Sequence, residues 1–382
     1  MRVGWAALFN DIATEMAYPL LPALLLALGS GAAALGWMEG VAESLSAMVK
    51  WWSGRKSDQG ARKPLVVAGY AVASFTRPLL ALVATPFQII AVRALDRIGR
   101  GVRAAPRDAM VAASVPPERH GAAFGFERMM DNLGAVIGPI IAFSLAKAGV
   151  SLRVIFASTL LPGLVALFIV LGLREVVVTR GEAGAKARAF TPKAPALSGD
   201  VRRYLGIVCL FTLGASADSF LILRMLDLGL PVALVPIVWL SLNASKTALN
   251  VPGGKLADRF GKRRMLTIAW AVYAAAYALF ALASTAASTW ILIVFYGAYY
   301  GLSEGCEKAL IAELATPTER GRAYGALHAL TGFVVLPANM IFGYLYAKHV
   351  AWAFGTSALC AALATLALLA SGVATTKVSR SE

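Results

Sequence analysis

Charge is what this sequence has little of. Of 382 residues only 15% are charged and 58% are hydrophobic, with a mean hydropathy of +0.68. Soluble domains carry roughly 25% charged and about 45–50% apolar residues, so an ordinary soluble fold is excluded. Cysteine is scarce too. Cys209, Cys306 and Cys360 are widely separated in apolar stretches and supply neither a disulfide framework nor a metal box. There are three histidines, His120, His328 and His349, and no H-E-x-x-H or G-x-S-x-G motif, which leaves little basis for a membrane-embedded enzyme. The absence of a G-x-x-x-x-G-K-[ST] loop argues against an ATP-driven pump. The stretch Gly99 to Ala104, GRGVRA, fits a dinucleotide fingerprint in spacing alone. It follows no strand and lies in an arginine-rich apolar segment, so no cofactor is expected.

Long apolar runs are what the chain does have. A bilayer crossing takes roughly 20 residues. Twelve stretches qualify, at about 5–28, 34–53, 64–84, 87–113, 121–147, 152–173, 204–226, 231–252, 265–285, 287–312, 323–346 and 350–372. The expected fold class is therefore an all-α polytopic membrane protein with twelve transmembrane helices in two six-helix halves. Asp11 and Glu15 interrupt the first run, which reads as a span and not as a cleaved signal peptide. Residues 174–203 are basic and rich in Ala, Gly and Pro, as a flexible linker between halves 1–173 and 204–382 would be.

Those halves repeat. Gly54 and Asp58 recur two hundred residues later as Gly254 and Asp258. The segment Arg107 to Gly125 is echoed by Glu307 to Gly325, with Ala109, Ala112, Pro117, Gly121, Ala123 and Gly125 all reappearing at that offset. Two similar apolar halves are the mark of a transporter built by duplication, and a pseudo-two-fold relation between them is expected.

The formal net charge is +15. In a soluble protein it would suggest nucleic acid; here its location says otherwise. With the N-terminus inside, the cytoplasmic loops hold Arg55, Lys56, Arg62 and Lys63, then Arg119, the basic linker, Lys255 with Lys262 to Arg264, and Arg320 with Arg322. The opposite side shows little beyond Lys147, Arg153 and Lys348. This positive-inside bias puts both termini in the cytoplasm of a cell-membrane protein, with lipid and not nucleic acid as the surrounding partner.

Charges inside spans are costly and face a bundle interior or an aqueous cavity. Spans nine and twelve carry none, span six only Arg153 at its outer end, and span three only Arg77, so these four read as peripheral. Span four is the opposite. At about 100° per residue, Arg93, Asp96, Arg97, Arg100, Arg103, Arg107 and Asp108 share an arc of roughly 140°. Carboxylates on spans one, two and five are the expected partners. Asp11 and Glu15 stand one turn apart before the bend-prone Tyr18 to Pro22; Glu39, Glu43, Ser46 and Lys50 form a stripe; and span five offers Glu127, Arg128, Asp131 and Asn132. The second half has fewer charges. Asp218, Arg224, Asn243, Lys246, Asn250, Glu304, Glu307 and Lys308 are the candidates to reach a central cavity, with Trp239, Tyr296, Tyr299 and Tyr300 among them. These aromatics are either part of an amphipathic pocket or interface anchors.

The whole pattern resembles the major facilitator superfamily. Its G-x-x-x-D-(R)-x-G-[RK]-[RK] motif stands after span eight as Gly254, Lys255, Leu256, Ala257, Asp258, Arg259, Phe260, Gly261, Lys262, Arg263. After span two it is degraded, one residue short and with Gln59 in place of the usual Arg. The resemblance implies a gating role for Gly54, Asp58, Gly254, Asp258 and Arg259, and a link to proton transfer for Arg93 or Arg100. Gly134, Gly138 and Pro139 resemble the antiporter motif of span five, although the same residues also read as ordinary helix packing.

A carboxylate that alternates between wet and drier surroundings can take up and release a proton. Asp11 and Glu15, with Glu43 and Asp131 next in line, are the candidates for proton or cation coupling. The expectation is a monomeric, proton-coupled secondary exporter of a small molecule, working by alternating access without a bound metal. A facilitator or importer of a small anion or metabolite is the second reading, and a metal-ion exporter the third.

Overall fold

The computed structural model describes residues 1–58, 62–116, 119–173, 197–316 and 319–372. Within them the chain is helical and contains no strand. Span one is α1 (Arg2–Ala17) and α2 (Leu21–Ala27), joined by a 3-10 turn at Tyr18–Leu20. Then come α3 (Ala32–Asp58), α4 (Arg62–Thr76) with a 3-10 extension Arg77–Ala81, α5 (Pro86–Ala113) and α6 (His120–Lys147). Span six is α7 (Leu152–Ser158) with α8 (Leu160–Leu171), and span seven is α9 (Gly199–Gly214) with α10 (Ser219–Asp227). The remainder are α11 (Val235–Phe260), α12 (Lys262–Leu282), α13 (Ala286–Ser303) with α14 (Cys306–Leu314), α15 (Arg320–Lys348) and α16 (Val350–Ala370). The twelve expected spans are all there.

Local sequence explains where these rods begin and bend. Thr85 caps α5: its hydroxyl accepts from Gln88 N at 3.3 Å, and Gln88 Oε1 accepts from Thr85 N at 3.1 Å, closing a capping box ahead of Pro86. Thr285 caps α13 in the same way, accepting from Ser288 N at 3.2 Å. The glycines that end α2 and α10, Gly29 and Gly229, have φ of 71° and 88°, a left-handed conformation that costs a residue without Cβ little. Both pairs lie two hundred residues apart, so the duplication visible in the motifs is repeated in caps and turns.

Spans seven and ten, like span six with its break at Thr159, differ from the expectation of single runs. Span seven begins at Gly199, inside the segment read as linker, and breaks between Gly214 and Ser219. The break is held by tyrosines of α12: Ser216 N donates to Tyr273 Oη at 3.2 Å, and Ser216 Oγ meets Tyr277 Oη at 2.8 Å. These hydroxyls supply the partners that the lost helical turn no longer provides. Span ten is interrupted after Ser303. Most of the linker reading, residues 174–196, falls outside the described residues.

Among the described residues, eight helical segments are long and apolar enough to cross a membrane by themselves. The spans missing from that set are one, two, four and ten, which are either broken or rich in charge.

The chain divides into two compact units, Met1–Arg188 with Ala217–Leu240, and Ala189–Ser216 with Ser241–Glu382. In the first, α5 lies along α3 and α4, and α1 along α6 and α8. Glycine permits these contacts. A Cβ on Gly69 would stand 2.6 Å from Gly99 O, and one on Gly101 2.8 Å from Ser46 O. In the second unit α12 packs on α13 and α16, around a core of rings in which Tyr273 and Tyr277 stack at 4.1 Å and Phe211 and Trp270 at 4.5 Å.

The tightest of these glycine contacts is testable. A Cβ on Gly253 would lie 2.1 Å from Gly301 O, whereas nothing lies within 4 Å of one on Gly254. Gly253→Ala should destabilise the protein by about 1–3 kcal/mol, the usual cost of overpacking, and lower the melting temperature in detergent. Gly254→Ala should melt like the wild type.

Candidate functional site

The first unit gathers most of the charges that its spans carry. Arg77, the one charge of span three, is 4% exposed and points inward from the 3-10 turn that ends α4. Its Nε meets Asp96 Oδ1 at 2.9 Å, while its two terminal nitrogens donate to Asn10 O and Asn10 Oδ1 at 3.1 and 3.0 Å. Span three is thus tied to spans one and four and is not merely peripheral. A charge alone in an apolar span has to find a buried partner, and that was the available signal for Arg77.

Span four follows its expectation in part. Arg93 lies between Glu39 Oε2 and Asp96 Oδ2, each at 3.5 Å, and its guanidinium sits 4.4 Å from the centre of the Tyr18 ring. Arg97 pairs with Glu43 at 2.9 Å. Arg107 meets Glu127 at 2.7 Å and Asp108 at 3.4 Å. The other two arginines depart from the reading. Arg103 is buried but makes no ion pair among the described residues; it lies 4.7 Å from the Tyr70 ring centre and donates to Gly69 O at 3.4 Å. Cation–π contact and a backbone carbonyl take the place of a carboxylate. Arg100 is exposed and likewise makes no ion pair among the described residues.

The pairing around Arg93 is loose. Glu39 Oε1 and Arg93 Nε are buried without hydrogen-bond partners. Beside them is a small cavity lined by Thr14, Tyr18, Arg77, Arg93 and Asp96, with room for about one water molecule.

Span one contributes the candidate coupling acids. Glu15 accepts a hydrogen bond from Trp239 Nε1, and the Trp239 ring stands edge-on to Tyr18 at 5.0 Å. Asp11 Oδ1 accepts from Asn10 Nδ2 at 3.0 Å. Both acids press on the glycines of α6: a Cβ at Gly134 would lie 2.8 Å from Asp11 Cβ, and one at Gly138 2.9 Å from Glu15 Cβ. The Gly134–Gly138 spacing therefore works as close helix packing. Asp131, one turn before Gly134, comes onto the same face, within electrostatic reach of Asp11. Its Oδ1 is buried and meets no hydrogen-bond donor. Arg128, on the same helix, is exposed.

The remaining candidates are scattered. Asp218 is buried at the start of α10. In the second unit Asn243 Nδ2 is buried without a partner, Lys246 Nζ sits 3.8 Å from the Tyr300 ring centre, Glu304 is exposed and Glu307 half-buried. Of the gating residues, Gly54 is half-buried in α3, Asp58 ends that helix, and Gly254, Asp258 and Arg259 are exposed. Among the described residues no three His, Cys, Asp or Glu side chains are placed to hold a metal ion. Asn10, Tyr18 and Tyr70 went unread in the sequence, because neutral polar and aromatic side chains give no signal until their neighbours are known.

Twelve helical spans, paired charges inside them and a duplicated glycine–aspartate motif describe one class of membrane protein, and comparison with known proteins agrees. The family model for the Major Facilitator Superfamily matches residues 3–332 and 219–381. The chain belongs to that superfamily and is a membrane transporter. It is 29% identical over 351 residues to an uncharacterised MFS-type transporter of Methanocaldococcus jannaschii, covering 90% of this chain and 87% of that one. A stretch of 79 residues, 21% of this chain and 20% of the relative, is 35% identical to the multidrug resistance protein MdtH of Yersinia enterocolitica. Among solved structures, the nucleoside transporter NupG (D323A mutant) shares the fold with a TM-score of 0.79 at 13% identity, over 97% of this chain and 98% of that one.

The buried pairs predict a contrast. Arg77→Ala leaves Asp96 and Asn10 without their buried partner and should cost about 3–5 kcal/mol, seen as a sharp loss of melting temperature or of expression. Arg100→Ala removes an exposed group and should leave the melt within experimental error of the wild type.

Proposed function

We propose that this protein is a proton-coupled secondary exporter of a small molecule, acting as a monomer by alternating access in the cell membrane with both termini in the cytoplasm. The observation that carries the coupling is that Asp11 packs against position 134 of α6, one turn from Asp131 and within its electrostatic reach, with one Asp131 oxygen buried and undonated. Two half-buried carboxylates held within electrostatic reach of each other are accommodated more cheaply when one of them takes up a proton. Such a proton must be taken up on one side and released on the other, which is what coupling to a gradient requires.

Export is supported by the Gly134–Gly138–Pro139 segment on that same helix face and by the stretch similar to a multidrug resistance protein. The positive-inside distribution supports the orientation. A second reading, a facilitator or importer of a small anion, is favoured by Arg100, an exposed guanidinium inside a span with no ion pair among the described residues. The third reading, metal export, lacks a ligand cluster among the described residues.

The test begins with a thermal-shift screen of small molecules on the purified protein, since a ligand stabilises the state it binds. A compound that raises the melting temperature is then followed in proteoliposomes under an imposed pH gradient. Uphill movement that collapses when the gradient is abolished is expected for the wild type. The doubly neutral variant Asp11→Asn with Asp131→Asn should bind the compound and exchange it without accumulation. Transport by the wild type that ignores the gradient would hand the protein to the facilitator reading.

A further inference from the structure

We propose that Asp131 carries the coupled proton, and that Asn10 and Arg77 are positioning residues that keep Asp11 as its charged partner; this rests on the proton-coupled reading above. The argument starts from Arg77. A guanidinium has only donors, so the Asn10 atom 3.0 Å from it is the amide oxygen. With Oδ1 committed to Arg77, Nδ2 is turned away from it and onto Asp11 Oδ1 at 3.0 Å. Arg77 cannot rotate out of this role, because Asp96 holds its Nε at 2.9 Å and Asn10 O holds a terminal nitrogen at 3.1 Å. The series Asp96, Arg77, Asn10, Asp11 thus points an N–H at an Asp11 oxygen. A proton arriving at that oxygen would meet a donor already in place.

Asp131 is in the contrary position. Its Oδ1 is buried and undonated, and Asp11 is nearby as an acceptor, through the contact of Asp11 Cβ with position 134 one turn along. Charged groups within electrostatic reach of it include Asp11 from α1, Arg107 from α5, and Glu127 and Arg128 from its own helix. Arg107 is engaged with Glu127 and Asp108 at 2.7 and 3.4 Å. The step is a proton transfer. An O–H bond forms at Asp131 as hydronium becomes water, and that O–H donates to the Asp11 carboxylate. On the opposite side the bond breaks and the proton returns to water.

The experiment uses the full chain in lipid nanodiscs and reads protonated carboxyl groups by infrared difference spectroscopy as the pH is lowered, with the proton itself as the probe. The wild type should gain a carboxyl C=O band that Asp131→Asn lacks and Asp11→Asn retains. Asn10→Ala, which removes the donor from Asp11, should shift the pH midpoint of the band. Added to Asp131→Asn, it should restore a titrating band at Asp11. Melting curves establish that each variant, the truncating Asn10→Ala included, is folded. A band that survives in Asp131→Asn and disappears in Asp11→Asn overturns the assignment while leaving proton coupling intact. An unchanged midpoint in Asn10→Ala, with no band restored in the double variant, overturns the positioning role. No titrating band in the wild type sinks both this inference and the proton-coupled reading beneath it.

Discussion

The structure depends on one constraint: a guanidinium taken out of water inside a membrane has to be met by something that replaces water. Isolated charges at that depth cost several kcal/mol, and the first unit meets the cost case by case. Arg77 has Asp96 and Asn10, Arg97 has Glu43, and Arg107 has Glu127. Arg103 has, among the described residues, a tyrosine ring and a backbone carbonyl in place of an acid. Spans one, two and four, which hold much of this network, are absent from the set of helices apolar enough to cross a membrane alone. They cross as members of a group whose charges cancel, with the apolar spans beside them.

Pairing of this kind needs short distances between helix axes, and glycine sets them. The contacts at Gly69, Gly99 and Gly101 bring α4 and α3 against α5 at the level of its arginines, and Gly134 and Gly138 do the same for α6 against α1 at the level of Asp11 and Glu15. Packing and electrostatics are therefore one design problem here. A methyl group at any of these glycines would push apart the carboxylates and guanidinium groups that the membrane requires to be close. The resemblance of Gly134–Gly138–Pro139 to an antiporter motif and its plainer reading as helix packing do not conflict, since the packing is what holds Asp11 and Glu15 against α6, with Asp11 within electrostatic reach of Asp131.

Much of this was legible in the sequence, for physical reasons. Twelve spans follow from hydropathy because a bilayer imposes length and composition. The partners of Arg93, Arg97 and Arg107 follow from charge balance, because a buried arginine on one span needs an acid on another. The inward turn of Arg77 was hidden by treating a single charge as an exception. The break in span seven was hidden because Ala215 to Asp218 contains neither glycine nor proline, and the hydroxyls that make it tolerable come from Tyr273 and Tyr277 more than fifty residues away. Arg100 and Arg103 share the arc of their neighbours, and periodicity alone does not say which member of an arc meets a carboxylate, a ring or open space. The gating motif was legible as a motif, but Asp258 and Arg259 are exposed and, among the described residues, form no ion pair that would reveal their work.

The two halves of the sequence kept the same punctuation and diverged in chemistry. Gly29 and Gly229 turn the chain, and Thr85 and Thr285 cap the helices that follow, yet the first unit is filled with ion pairs and the second with stacked rings. Local backbone geometry is preserved because a left-handed turn or a cap has few substitutes. Side chains that line a path are under no such restriction once the fold is set. In the first unit the ion pairs also differ among themselves. Arg97 and Arg107 are close to their acids, while Arg93 is 3.5 Å from two acids at once, with an undonated Glu39 oxygen beside it. A cation shared between two acceptors is bound to neither as firmly as a tight pair is. The slack in the network therefore lies at Arg93, beside Tyr18 and the small cavity, where a change of partner would break the fewest good hydrogen bonds.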